Sequence, residues 1–126
     1  MICKELMVGD WVATEHGFPM QVVNVGDDYA YATFEGNEGD PWELYDRCCP
    51  PNPIPITEGL LTKNGYNCNR PFDLCGIYFQ LRENSLHIYR NDGENDIPII
   101  AFHYIHEFQQ LLRLAGMTDL ANNFKI

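Results

Sequence analysis

Hydrophobic and polar positions alternate most cleanly in YAYATF, residues 29 to 34. In an extended chain Tyr29, Tyr31 and Thr33 fall on one face and Ala30, Ala32 and Phe34 on the other. The neighbouring stretches read the same way. DWVAT begins a strand, HGFP turns the chain with Gly17 suited to positive φ and Pro19 fixing the re-entry, and MQVVNV is dense in β-branched residues. Gly26, Asp27 and Asp28 turn it again. After the loop EGNEGD, PWELYDRC reads as an edge strand, because Pro41 has no N–H to give to a ladder. Short strands joined by tight turns predict a small barrel or strongly curved antiparallel sheet over residues 1–47.

The pattern then changes twice. Pro50, Pro51, Pro53 and Pro55 make residues 48–56 a stiff, extended connector. From residue 57 to 126 the chain predicts helix, three strands and helix. Thr57 is the N-cap of the first helix, with Glu58 at the positive end of its dipole. Ile56 and Leu61 have the spacing of a hydrophobic staple, and Gly65 suits the left-handed position just past the helix end. IYFQLRE and SLHIYR alternate around a short turn at Glu83 and Asn84. NDGEND turns the chain into a third strand, IPIIAFHY. Over residues 104 to 115 the spacing changes to that of a helix: Ile105, Phe108, Leu111, Leu112 and Ala115 form an apolar stripe, and Gln109, Gln110 and Arg113 fall on the other side. The final FKI is expected to add an edge strand. The whole of 1–126 is expected to be one α+β domain whose two halves share a core.

Composition supports a folded domain. With 126 residues, 45% hydrophobic and 21% charged, the chain is in the globular range, and about two-thirds of its unfolded surface is buried on folding. No stretch is long and apolar enough for a signal sequence or a membrane span, and the cysteine count of five is odd. A cytoplasmic protein with reduced thiols is the expectation, with no membrane partner. The net charge of −10 is concentrated in Asp27, Asp28, Glu35, Glu38, Asp40, Glu43 and Asp46, a block without Lys or Arg, which disfavours nucleic acid as a ligand.

Candidate chemistry is sparse. His103 and His106 are three apart beside Glu107. They would share a face if both were helical, but not if His103 still belonged to the strand. A tight zinc site needs a third protein ligand, to come from Cys48, Cys49, Cys68 or Cys75, and the order His-x-x-His-Glu is not that of the zinc proteases. None of the cysteines has the spacing of a zinc knuckle or the setting of an activated thiol. DGEND lacks the full calcium-loop pattern and reads as a hairpin loop. No Gly-rich phosphate cradle and no nucleophile elbow is present, and no cofactor is implied. What remains is aromatic: Tyr29, Tyr31, Trp42 and Tyr45 lie within the acidic block, with Glu43 among them. Exposed aromatics rimmed by charge are a common feature of protein interfaces.

Three stretches, ELMVGDWVATEHGFPMQVVNV, PIPITEGLLTKNGY and YIHEFQQLLRLAG, resemble in that order a group of small proteins of gut anaerobic bacteria and of their prophages and mobile elements. The resemblance implies a bacterial or phage cytoplasmic setting and brings no activity and no functional residues. The opening GDWV…G-P-QV is also similar to small SH3-like barrels. The expected fold is therefore a curved antiparallel SH3-like N-terminal sheet, then a helix, a three-strand meander and a C-terminal amphipathic helix. The expected function is a non-enzymatic protein-interaction module whose partner is an unidentified protein. The alternatives are a small metal-binding protein or metal-dependent hydrolase using His103 and His106, and an acidic DNA mimic that blocks a DNA-binding enzyme. The sequence leaves the oligomeric state open.

Overall fold

Two four-stranded antiparallel sheets, one from each half of the chain, meet across the longest helix. The structure is a computed structural model that describes residues 1–126 apart from Glu35, Glu38, Arg70, Cys75 and Asp92. The first sheet is an open meander of β1 (Trp11–Ala13), β2 (Pro19–Val25), β3 (Tyr29–Thr33) and β4 (Trp42–Tyr45), with β1 and β4 at its edges. Its alternation is the one legible in the sequence: Ala30 and Ala32 are buried beside Val12, Met20, Val22 and Leu44, with Cys3 and Leu6 from the N-terminal turn closing that core. Small alanines on β3 let the sheet curve tightly around a thin core, and a bulge between Val22 and Asn24 adds to the bend.

The proline-rich connector is fixed at three places. Cys49 exchanges two backbone hydrogen bonds with Tyr45 on β4 (3.0 and 3.1 Å), and Asn52 exchanges two with Ala13 on β1 (both 2.8 Å). Further on, Ile56 N–H donates to the His103 carbonyl and Ile105 N–H to the Ile54 carbonyl. The connector thus touches both edges of the first sheet before it reaches the second half. Helix α1 (Glu58–Lys63) then starts as its sequence predicts: the Thr57 hydroxyl accepts from Leu60 N–H, Ile56 and Leu61 are both fully buried, and Gly65 takes φ +88°.

The second sheet has four strands and not three: β5 (Phe72–Leu74), β6 (Ile77–Arg82), β7 (Ser85–Asn91) and β8 (Asp96–Phe102), in that spatial order. The additional strand is three residues long, too short to show a period, and is held by pairing with β6. Helix α2 (Ile105–Leu114) follows, and then a short α3 (Thr118–Asn122). The terminal FKI is not a strand. Phe124 is buried in the second core, while Lys125 is held by the Asn64 side chain, which accepts from its N–H (2.7 Å) and donates to its carbonyl (2.8 Å).

Nor do the halves share one core. The second cluster is built on rings: Phe72 stacks on Phe79 at 5.2 Å, while Phe108 meets Tyr66, Phe79 and Phe124 edge-on. Between the two clusters lies a polar seam formed by the side of α2 opposite its apolar stripe. Gln109 is fully buried; it accepts from Trp11 N–H (2.8 Å) and donates to the carbonyls of Gly9 and Ala121 (2.9 Å each). Asp10, also fully buried, accepts from Arg113 Nη1, from Gln110 Nε2 (2.8 Å) and from Met7 N–H (2.9 Å). Trp11 packs against the second core, and its indole donates to the Phe124 carbonyl (2.6 Å). Gly9 takes φ +95° at the closest approach, where a Cβ would lie 2.5 Å from Asn122 Oδ1 and 2.7 Å from Arg113 Nη2. Most buried polar groups are hydrogen-bonded, and Gln109 and Asp10 find their partners across the two halves, while Arg113 Nη2 is buried beside them with no hydrogen-bond partner among the described residues.

Candidate functional site

The five residues Tyr29, Tyr31, Trp42, Glu43 and Tyr45 do not form one patch. Residues directly opposite in an antiparallel pair share a face, and the register pairs Tyr29 with Tyr45 and Tyr31 with Glu43, but Ala32 with Trp42. Trp42 therefore stands on the inner face with Leu44 and the alanines, and the other four stand on the outer face. On that outer face Tyr45 donates to Glu43 Oε2 (2.8 Å), a bond that pushes the Tyr45 hydroxyl up to about 12. Tyr29 and Tyr31 meet edge-on at 5.6 Å, and the Tyr29 ring lies over Gly26, where a Cβ would sit 2.2 Å from a ring carbon. Both of these rings are half-buried.

Trp42 instead lines a cleft at the end of the inner face, where the first core runs out. The cleft is about 480 Å³ and is lined by Thr14, His16, Phe18, Pro19, Met20, Phe34 and Trp42. Met20 is its floor, 1% exposed, while Phe18 is 67%, Trp42 50% and Phe34 45% exposed. The walls are held in place by backbone chemistry. Thr14 and Phe18 exchange hydrogen bonds across the turn, with Thr14 N–H donating to the Phe18 carbonyl (2.9 Å) and Phe18 N–H to the Thr14 hydroxyl (3.2 Å). Phe34 N–H donates to Asn37 Oδ1 (2.6 Å). Adjoining the cleft, a smaller hollow of about 180 Å³ is lined by Thr14, Glu15, His16, Trp42, Leu44 and Cys49. Phe18 and Phe34 carried a signal in the sequence: each is two residues from a core position, Met20 or Ala32, and so shares its face. Parity within WELY likewise puts Trp42 with Leu44.

The histidine pair is divided between two environments. His103 lies between β8 and α2, exposed, with Nδ1 2.9 Å from the Ser85 hydroxyl. His106 is buried in the first turn of α2, stacks on Tyr104 at 6.1 Å, and its Nδ1 has no hydrogen-bond partner. Burial lowers the His106 pKa, against a smaller upward pull from Asp10, Glu107 and Glu5. Glu107 has a structural task, accepting the backbone N–H groups of His103 (3.1 Å) and Tyr104 (3.0 Å) at the helix start. Among the described residues no three His, Cys, Asp or Glu side chains gather as a metal site would need. Cys75 and Asp92, the former a candidate ligand and the latter part of the DGEND loop, lie outside the described residues.

Three of the described thiols, Cys3, Cys49 and Cys68, are shifted away from the reactive thiolate. Burial pushes Cys3 up to about 12, helped by Asp46, and burial raises Cys68. Cys49 is raised first by its hydrogen bond with Cys48. Cys3, Cys48, Cys49 and Cys68 are all free. Among the described residues no helix is long and apolar enough to cross a membrane. No family model, curated protein or solved structure matches this chain.

Proposed function

We propose that this chain is a non-enzymatic protein-interaction module that takes a segment of a partner protein into the cleft beside Trp42. The reading rests on one observation: Phe18, Phe34 and Trp42 keep large apolar areas in water around a cleft with a buried apolar floor. Aromatic side chains supply much of the energy of protein interfaces, and a concave apolar site concentrates it. The connector bridging β4 and β1 would give the first sheet the curvature of a small SH3-like barrel, with the cleft at its open end. The tyrosines and Glu43 of the outer face are a secondary surface in this reading, since their hydroxyl and ring contacts are already made within the sheet. A cytoplasmic, bacterial or prophage setting belongs to the same reading and rests on the resemblance of the three stretches quoted above.

The test is capture of a stoichiometric protein partner from host lysate by wild type and by two double variants. Trp42→Ala with Phe34→Ala should lose the partner while unfolding within about 1 kcal/mol of wild type, as surface substitutions do. Tyr31→Ala with Tyr45→Ala should keep it. Capture that survives the cleft variant and fails with the outer-face variant would move the site to the other face of the sheet.

A further inference from the structure

We infer that the segment taken into the cleft is basic, with an aliphatic or aromatic side chain flanked by lysine or arginine. This rests on the proposed function and adds the chemistry of the occupant. The first reason is the division of the site. Trp42, Thr14 and His16 line both the larger apolar cleft and the smaller hollow, so the two spaces adjoin and two neighbouring side chains of one segment can fill them. The larger space suits an apolar side chain. The smaller one carries the Glu15 carboxylate, 3.4 Å from His16 and well exposed to solvent.

The second reason is the charge around the site. Residues 1–47 hold ten acidic side chains against Lys4 and Arg47 alone. One of the ten, Asp10, is already matched by Arg113 from the other half. Asp40 and Glu43 are exposed next to Trp42 in the chain. A segment entering beside Trp42 thus approaches a half that is predominantly acidic. Such a field favours a cationic partner, repels an acidic one, and acts within about 8 Å at physiological salt. A half-exposed indole also suits an arginine or lysine stem, which can lie on the ring face and keep its charged end in water.

The experiment uses the full chain and short fluorescent peptides centred on leucine or phenylalanine, flanked by lysine, by serine or by glutamate. Binding is read by anisotropy, and the site by the shift of the Trp42 indole N–H signal in NMR. Lysine-flanked peptides should bind, shift Trp42 and weaken as salt rises. Glu15→Gln should weaken them about threefold, the scale of one exposed ion pair, and should leave serine-flanked peptides unchanged. Equal binding by all three sets, or binding indifferent to salt, overturns the basic-segment inference and leaves the cleft as a docking site. Lysine-flanked peptides that never move Trp42 also overturn it. Whether the proposed function falls with it is read separately, from partner capture by the Trp42→Ala, Phe34→Ala variant.

Discussion

The two halves of this molecule use aromatic residues in opposite ways. In the second half Tyr66, Phe72, Phe79, Phe108 and Phe124 form a connected set of stacked and edge-on rings. In the first half the core is made of alanine, valine, methionine and leucine, while Phe18, Phe34 and Trp42 remain largely in water. Rings bury the most area of any side chains and stabilise the fold that encloses them. A half that leaves three of them exposed gives up that contribution and gains a surface able to bind. The charges divide in the same direction: most of the net −10 belongs to residues 1–47. The second half is thus the anchor, and the first is a thin, acidic sheet docked on it through the polar side of α2.

The strongest way to break the comparison is Phe108→Ala, which removes the ring that meets Tyr66, Phe79 and Phe124. A loss of about 3–5 kcal/mol is expected in urea unfolding. If the first half depends on the second, the folded-state NMR signal of the Trp42 indole and the aromatic circular dichroism of the ring cluster should be lost in one transition.

Asp10→Asn should come next. It leaves the Arg113 guanidinium buried without its counter-charge, which costs about 3 kcal/mol. Its signature differs, because it strikes the seam and neither core. The expected result is two separated transitions, with the ring cluster surviving to higher urea than the Trp42 signal. A single transition would mean that the seam contributes little to the coupling.

A smaller effect is expected from pH. Burial holds His106 below its ordinary value of 6.5, so the unfolded chain takes up the proton first as pH falls. The stability associated with neutral His106 is therefore present above about pH 6.5 and is lost progressively below it. The facing charges of Asp10, Glu107 and Glu5 moderate the loss, and the Met1 amino group adds to it. His106→Gln should flatten the fall of the urea midpoint between neutral and mildly acidic pH; an unchanged slope would place the proton uptake elsewhere.

Much of the fold was legible because its signals are local. The alternation of YAYATF put Ala30 and Ala32 on one face, which the fold buries, and Thr57, Ile56, Leu61 and Gly65 marked both ends of α1. β5 and α3 were not legible, being three and five residues long, below the length at which a period shows. The seam was hidden for a different reason. A hydrophobic pattern separates apolar from polar positions, but it cannot separate a glutamine facing water from one facing the carbonyls of Gly9 and Ala121. The candidate site was half legible: the residue types in the acidic block were visible, but placing Trp42 opposite the tyrosines needed the register of β4, and joining it to Phe18 needed the turn at Thr14.

The Asp10–Arg113 contact joins positions 103 residues apart. On a ribosome the first sheet emerges long before α2 exists. Its strands can pair at once, since β1 to β4 are consecutive hairpins, but the Gly9 carbonyl and the Asp10 carboxylate must stay hydrated until α2 arrives. Closing so long a loop is slow compared with hairpin formation. The acidic sheet can therefore form before it docks, with its cleft and its seam both open, and α2 supplies the groups that close the seam.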